Sequence, residues 1–189
     1  MPEQIKALVI LGAVMGLGAC SLVAPKYNAS FDSAQKLRDV GAEKAKVGKF
    51  TADPKSKDKV NRLSIRGSSY ASPYDNSFVA YLEEAMRQEL DDARLLDPGA
   101  STQIDGVLIR NELDGSGFSV GTADIEAQFI VTREGKVRYD KVHKAHHEWE
   151  SSFIGATAIP AAAQNYPTVV QKLLANLVAD PEFISALKK

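Results

Sequence analysis

Hydrophobic residues recur at every third or fourth position between Asn76 and Arg94, where polar residues fill the gaps. This spacing places the apolar side chains on one face of an α-helix. Asn76 or Ser77 can cap the start of the helix, and Asp97-Pro98-Gly99 ends the segment. We therefore predict a helix that packs its apolar face against a core.

The pattern changes to alternation in Asp124 to Arg133, and alternation resumes in Lys136 to Trp149. Alternating apolar and polar residues are typical of half-buried strands. Glu134-Gly135, between the two segments, is typical of a tight turn. The sequence therefore predicts an antiparallel hairpin here, with Trp149 among its core residues.

Weaker patterns predict the remaining elements and, with them, the fold class. The order of helices and strands predicts an α+β fold, with a mainly antiparallel sheet of three to five strands and two main helices packed on one face. Further helices are expected at 33–40, after Pro167 and at 180–187, and further strands at 46–51, 62–66 and 104–113. Phe31, just before the first of these helices, is also expected to face inward. Residues 151–163 are expected to be partly helical.

An uncharged apolar run of eleven residues, Ala7 to Leu17, lies near the amino terminus and follows Lys6. It is shorter than the about 20 residues of a membrane-spanning helix and matches the apolar core of a signal peptide. Leu17-Gly18-Ala19-Cys20 comes directly after it. A leucine three positions before a cysteine, with small residues between, resembles the lipobox of bacterial lipoproteins.

This resemblance implies cleavage before Cys20 and attachment of a diacylglycerol to its thiol. It divides the chain into a signal peptide at 1–19, the lipidated cysteine and a tether at 20–30, and a single α+β domain at 31–189. In such lipoproteins an aspartate after the cysteine favours the inner membrane. Ser21 stands there in this chain, which favours the outer membrane, with the domain facing the periplasm. Two or more acyl chains are needed for a stable anchor.

Composition and charge narrow the classes of partner. The 189 residues are 44% hydrophobic and 25% charged, which suffices for one packed core. The net charge of −1 gives no electrostatic support for a nucleic-acid partner. Cys20 is the one cysteine, so no internal disulfide forms. We expect no cofactor.

The densest group of metal-ligating residue types is His143-Lys144-Ala145-His146-His147-Glu148. On a straight strand, His143 and His147 share a face but lie about 13 Å apart, too far to bind one ion. On a helix they would be adjacent. The neighbouring residues favour a strand, so His143 and His147 are only weak metal candidates. We find no pattern typical of a catalytic triad and expect no enzyme activity.

The expected function follows from the anchor. After the lipobox, the order of elements resembles small lipoproteins that assist envelope assembly or intermembrane transport, which implies a partner-binding or assembly module with an envelope protein as partner. One alternative is a periplasmic binder of a small apolar or lipid ligand, which needs a large pocket. A metal-dependent hydrolase at His143 to Glu148 is another. Aromatic residues in Gly/Ser-rich segments are candidates for a partner surface; they are Tyr70, Tyr74 and Phe118. Trp149 and the Ser151-Ser152-Phe153 that follows it are a further segment of interest.

Overall fold

The computed structural model describes residues 22–188, and the predicted signal peptide and Cys20 lie outside this range. The described part contains seven strands and five helices. In chain order they are β1 (Leu22–Val23), α1 (Phe31–Asp39), β2 (Lys46–Ala52), α2 (Lys57–Val60), β3 (Leu63–Ile65), β4 (Ser68–Ala71), α3 (Phe78–Asp92), β5 (Thr102–Asp114), β6 (Val120–Arg133), β7 (Lys136–Glu150), α4 (Gly155–Ala179) and α5 (Pro181–Ala186).

The main sheet has four strands in the order β2-β5-β6-β7. Strands β5, β6 and β7 are antiparallel neighbours, and β2 pairs with β5 in parallel at one edge. Helix α4 packs on β6 and β7, and α3 packs on β2. The predicted fold class, α+β with a mainly antiparallel sheet and two main helices on one face, is confirmed.

The predicted hairpin is confirmed as β6 and β7. Glu134 and Gly135 both have positive φ, 51° and 75°, as a two-residue turn between twisted strands requires. Trp149 is buried in β7, as predicted. It lies over Gly121 of β6, where a Cβ atom would come within 2.4 Å of the indole ring.

A second, three-stranded sheet was not predicted. Its order is β1-β4-β3, with β1 parallel and β3 antiparallel to β4. Strand β1 belongs to the stretch expected as a tether, and the described part of that stretch, 22–30, is packed on the domain, with Ala24 and Tyr27 buried. Two extended residues are too few to show alternation, so the sequence pattern does not reveal this strand.

Helix α4 corrects the prediction that a helix starts at Pro167. It begins at Gly155 and runs through Pro167 to Ala179. A proline inside a helix leaves the carbonyl four residues earlier without its N–H partner. That carbonyl belongs to Ala163, and it accepts a hydrogen bond of 2.7 Å from the Tyr70 hydroxyl. This replacement donor explains why the helix continues.

Helix α1 also differs in detail from the prediction. It begins at Phe31, and the Ser30 hydroxyl accepts from the Ser33 N–H as the cap. Phe31 was expected to face inward but is 74% exposed. Ala34 and Leu37 supply the buried face, so the apolar stripe of this helix starts one turn later than predicted.

Candidate functional site

The weak metal candidates His143 and His147 both lie on β7, but the structure gives them different partners. Nε2 of His143 contacts the Tyr139 hydroxyl and lies 3.7 Å from the Asp180 carboxylate. Burial lowers the pKa of His143, against the attraction of Asp180. Tyr139 itself donates to Asp180 at 2.9 Å. His143 therefore belongs to a cluster at the start of α5.

His147 lies under α4 instead. Its Nε2 donates to Asn165 at 2.8 Å, and Lys172 donates to its Nδ1 at 3.0 Å. With both ring nitrogens engaged by neutral or cationic groups, His147 has no free lone pair for a metal. The two weak metal candidates are not brought together.

His146 lies on the opposite face of β7, between two carboxylates. Its ring nitrogens lie 3.0 Å from Asp124 and 3.1 Å from Glu148. The hydrogen bond to Glu148, then that to Asp124, raises the pKa of this exposed histidine. Among residues 22–188, no three His, Cys, Asp or Glu side chains are grouped so that they could hold a metal ion.

The amino-terminal segment is held to the domain by backbone and side-chain bonds. Leu22 pairs with Tyr70 in parallel, and the Ala24 N–H donates to Ala71 at 2.8 Å. Further along, the hydroxyl of Tyr27 donates to Glu89 of α3 at 2.5 Å. The Ser30 N–H donates to the same carboxylate oxygen at 2.9 Å. The chain from 22 to 30 is thus fixed at both ends.

Glu89 is the buried carboxyl group that fixes this segment. Its second oxygen, Oε2, is buried and has no hydrogen-bond partner among the described residues. Burial raises the pKa of the Glu89 carboxyl, although the hydrogen bonds from Ser30 and Tyr27 oppose this effect. The sequence analysis missed Glu89, but its position held a signal. It lies four residues after Ala85 and four before Ala93, on the apolar face of the predicted helix.

A second feature is a pair of exposed aromatic rings, which we name the aromatic pair. Phe118 lies in the loop between β5 and β6, and Phe153 lies in the loop between β7 and α4. They are 74% and 73% exposed, and the rings stack with centroids 5.4 Å apart. Ile154, beside them in the chain, is 63% exposed. Large side chains exposed together in this way are typical of a binding surface.

Arg66 holds the two loops of the aromatic pair together. It lies in the turn between β3 and β4, and its guanidinium donates to four carbonyl groups. Two belong to the first loop, Gly115 at 2.7 Å and Gly117 at 3.3 Å. Two belong to the second, Phe153 at 2.8 Å and Ser152 at 2.6 Å. The aromatic pair is therefore built on a fixed support. Sequence analysis did not single out Arg66, because its partners are remote in the chain.

The three aromatic residues proposed for a partner surface differ in exposure. Phe118 is exposed, whereas Tyr70 is buried and Tyr74 is half-buried. Tyr70 stacks on Phe78 and meets Tyr166 edge to face. Burial raises the pKa of the Tyr70 hydroxyl. Tyr70 is thus a core residue, and the expectation that it forms a surface is wrong.

Comparison with known proteins identifies the fold. No protein-family model and no curated protein matches the sequence. A Xanthomonas campestris protein of the family DUF330 has a similar structure, with a TM-score of 0.58, 16% identity, and coverage of 87% of this chain and 96% of that one. A Caulobacter crescentus protein provisionally named a lipoprotein matches with a TM-score of 0.44 and 12% identity, covering 84% of this chain and 98% of its own. In residues 22–188 no helix combines the length and apolarity needed to cross a membrane. At this level of identity, the DUF330 similarity establishes the fold.

Proposed function

We propose that the protein is a lipid-anchored, non-enzymatic module of the bacterial cell envelope that binds a protein partner. The attachment of residues 22–30 to the domain is the observation that carries this proposal. Strand β1 begins at Leu22, two residues after the lipobox cysteine, Cys20. Two residues span at most about 7 Å. A lipid on Cys20 would hold the folded domain directly against the membrane surface.

The fixed segment 22–30 supports a module held in a defined orientation, in contrast to a domain on a long, flexible linker. A flexible tether of ten residues would leave the orientation of the domain free. Here the pairing of β1 with β4 and the bonds of Glu89 to Tyr27 and Ser30 fix how the chain enters the domain. A module of this kind presents a defined surface to a partner in the periplasm. Because its orientation is already fixed, less entropy is lost on binding.

The alternative of a periplasmic ligand binder has less support. The space between the main sheet and its helices is filled by buried side chains such as Phe129, Val170 and Leu173. A groove of about 480 Å³ lies at the surface, lined by Val40, Val178 and other residues of α1, α4 and α5. Binding sites for small apolar ligands are usually enclosed and bury most of the ligand. The separate surroundings of His143 and His147 likewise give less support to a metal-dependent hydrolase at these residues.

Labelling with radioactive palmitate tests the anchor. The wild-type protein is expected to incorporate label and to sediment with outer membranes, whereas Cys20→Ser is expected to incorporate none. Equal labelling of both proteins would contradict the assignment of Cys20. The Ser21→Asp variant gives a matched control for sorting, because it keeps the lipid and is expected to shift the protein towards the inner membrane.

Affinity capture from membranes tests the partner. The lipidated protein is expected to recover an envelope protein that the Cys20→Ser control does not recover. A His143→Ala/His147→Ala variant should recover the same protein, because neither histidine belongs to a proposed binding surface. Recovery of no partner above the Cys20→Ser control would count against a partner-binding role.

A further inference from the structure

We infer that the aromatic pair and Ile154 form a lipid-contacting surface, which enters the leaflet that holds the lipid of Cys20. This inference rests on the proposed anchor at Cys20 and adds a second point of membrane contact. It assigns the exposed rings to the acyl-chain boundary of the bilayer, with no contribution from a protein partner.

The aromatic pair and the start of the described chain lie at the same end of the domain. Strand β1 runs parallel to β4, so Leu22 lies towards the amino end of β4. The turn that leads into β4 contains Arg66 and Gly67, four and three residues before Tyr70. Its Arg66 side chain binds the loops that carry Phe118 and Phe153. Leu22 therefore lies towards the side of the domain where the rings are exposed, and a lipid attached two residues before it, at most about 7 Å of chain away, would enter the membrane on that side.

The composition of the two loops fits an uncharged, apolar environment. Residues 115–119 (GSGFS) and 151–154 (SSFI) contain no charged side chain. Asp114 and Glu150 flank them, and the Arg66 guanidinium between the loops is engaged by four backbone carbonyls. Aromatic and aliphatic side chains bury apolar area at the boundary of headgroups and acyl chains. We therefore expect contact with a zwitterionic bilayer that depends little on salt.

The fixed support of the two rings indicates that their exposure is functional. Exposed apolar side chains usually fold back onto the protein or lie singly. Here four hydrogen bonds from Arg66 fix two loops, and the loops place their rings side by side in solvent. Because the support is already ordered, insertion needs little further ordering of the chain. Membrane lipid is the favoured contact of the aromatic pair, because a lipid anchor on Cys20 would bring the bilayer to this side of the domain.

A spin label on Ile154→Cys measures the depth of the surface. The lipidated protein, cleaved before Cys20, is reconstituted into phosphatidylcholine vesicles. Because the thiol of Cys20 is acylated, the cysteine introduced at position 154 is the single free thiol. The label is expected to be shielded from a water-soluble nickel complex by at least about fivefold relative to Val137→Cys. Val137 is the matched control because it is 61% exposed at the opposite end of β7.

The aromatic pair itself is tested by substitution. Phe118→Ser/Phe153→Ser is expected to abolish the shielding at position 154, while Phe31→Ser, which changes an equally exposed ring on α1, leaves it unchanged. Circular dichroism checks that both variants keep the fold. Equal shielding with and without the aromatic pair would overturn the inference.

Mass spectrometry of the same samples separates the two proposals. A lipidated Cys20 with a label at 154 as accessible as that at 137 overturns the membrane contact and leaves the anchor standing. An unmodified thiol at Cys20 overturns both. Shielding that is present in native membranes but absent in pure vesicles assigns the surface to a protein, and also overturns the inference.

Discussion

Two carboxylates of this domain, Glu89 and Asp180, hold chain segments in the same way but in different surroundings. Glu89 accepts from the Tyr27 hydroxyl and from the Ser30 backbone. Asp180 accepts from the Tyr139 hydroxyl and from the Glu182 backbone, where it caps α5. Glu89 fixes the start of the described chain to α3, and Asp180 fixes its end to β7.

Their pKa values nevertheless move in opposite directions. Burial raises the pKa of Glu89 and outweighs its two hydrogen bonds. Burial also acts to raise the pKa of Asp180, but hydrogen bonds from Glu182, Tyr139 and Lys141 outweigh it and lower the pKa. Two things differ. Glu89 is more deeply buried than Asp180, and the Lys141 ammonium lies 3.4 Å from Asp180, whereas no cation pairs with Glu89 among the described residues. A hydrogen bond from a tyrosine alone does not offset the effect of deep burial on the pKa of a carboxyl.

The largest predicted effect comes from removing Glu89. In Glu89→Ala the Tyr27 hydroxyl and the Ser30 N–H lose their acceptor inside the domain, so the free energy of unfolding should fall by about 2–4 kcal/mol. Urea denaturation measures it. Glu84→Ala is the control, because Glu84 lies at the surface beside Arg87 and should change stability by less than about 0.5 kcal/mol. A Glu89→Ala loss as small as that of the control would refute the role of Glu89 in fixing the segment.

Removal of Asp180 should have a smaller effect. In Asp180→Ala helix α5 loses its cap and Tyr139 loses its acceptor, which lowers the free energy of unfolding by about 1–2 kcal/mol. The same urea experiment measures it. Glu182→Ala serves as the control, since its carboxylate is exposed and pairs with Lys141 at the surface. If both substitutions had the same effect, Asp180 would act through Lys141 and not as a cap.

The comparison also shows what the sequence could predict. Local sequence patterns correctly predicted α3 and the β6–β7 hairpin, because the spacing of apolar residues that marks a helix or a strand lies within each element. The cap at Asp180 was predicted in the same way, from Asp180-Pro181-Glu182. The metal-type residues of β7 were correctly placed on a strand, where His143 and His147 stay apart.

Features that depend on distant partners were not predictable. The run of α4 through Pro167 depends on Tyr70, whose acceptor lies 93 residues away in the sequence. Arg66 reaches carbonyls 49 and 87 residues away to build the aromatic pair. Glu89 meets Tyr27 across 62 residues. Each of these contacts joins residues that are remote in the chain, and the local pattern of the sequence does not reveal such pairs.

The pH dependence of Glu89 sharpens the comparison further. The pKa of Glu89 in the folded protein is raised above the ordinary value of 4.5. The stabilisation that the folded protein gains by holding this proton is therefore fully present below pH 4.5 and is lost as the pH rises through the folded pKa. Glu89→Gln keeps an acceptor and cannot ionise. The wild type should therefore lose stability relative to Glu89→Gln as the pH rises from 4 to 8, by less than the effect of Glu89→Ala. Urea midpoints at several pH values measure this difference, and a constant difference would contradict the raised pKa.

Asp180 should show the opposite and smallest dependence. The pKa of Asp180 in the folded protein lies below the ordinary value of 3.8. The stabilisation that comes from its ionised carboxylate is therefore present above pH 3.8 and is lost as the pH falls through the folded pKa. Asp180→Asn keeps a capping side chain, since asparagine caps helices about as well as aspartate. The wild type should be more stable than Asp180→Asn above pH 5 and should lose that advantage between pH 4 and pH 2. Lys141→Ala is the matched test of the cause. It should shrink the advantage by removing the cation, whereas an unchanged advantage would assign the lowered pKa to the hydrogen bonds from Glu182 and Tyr139.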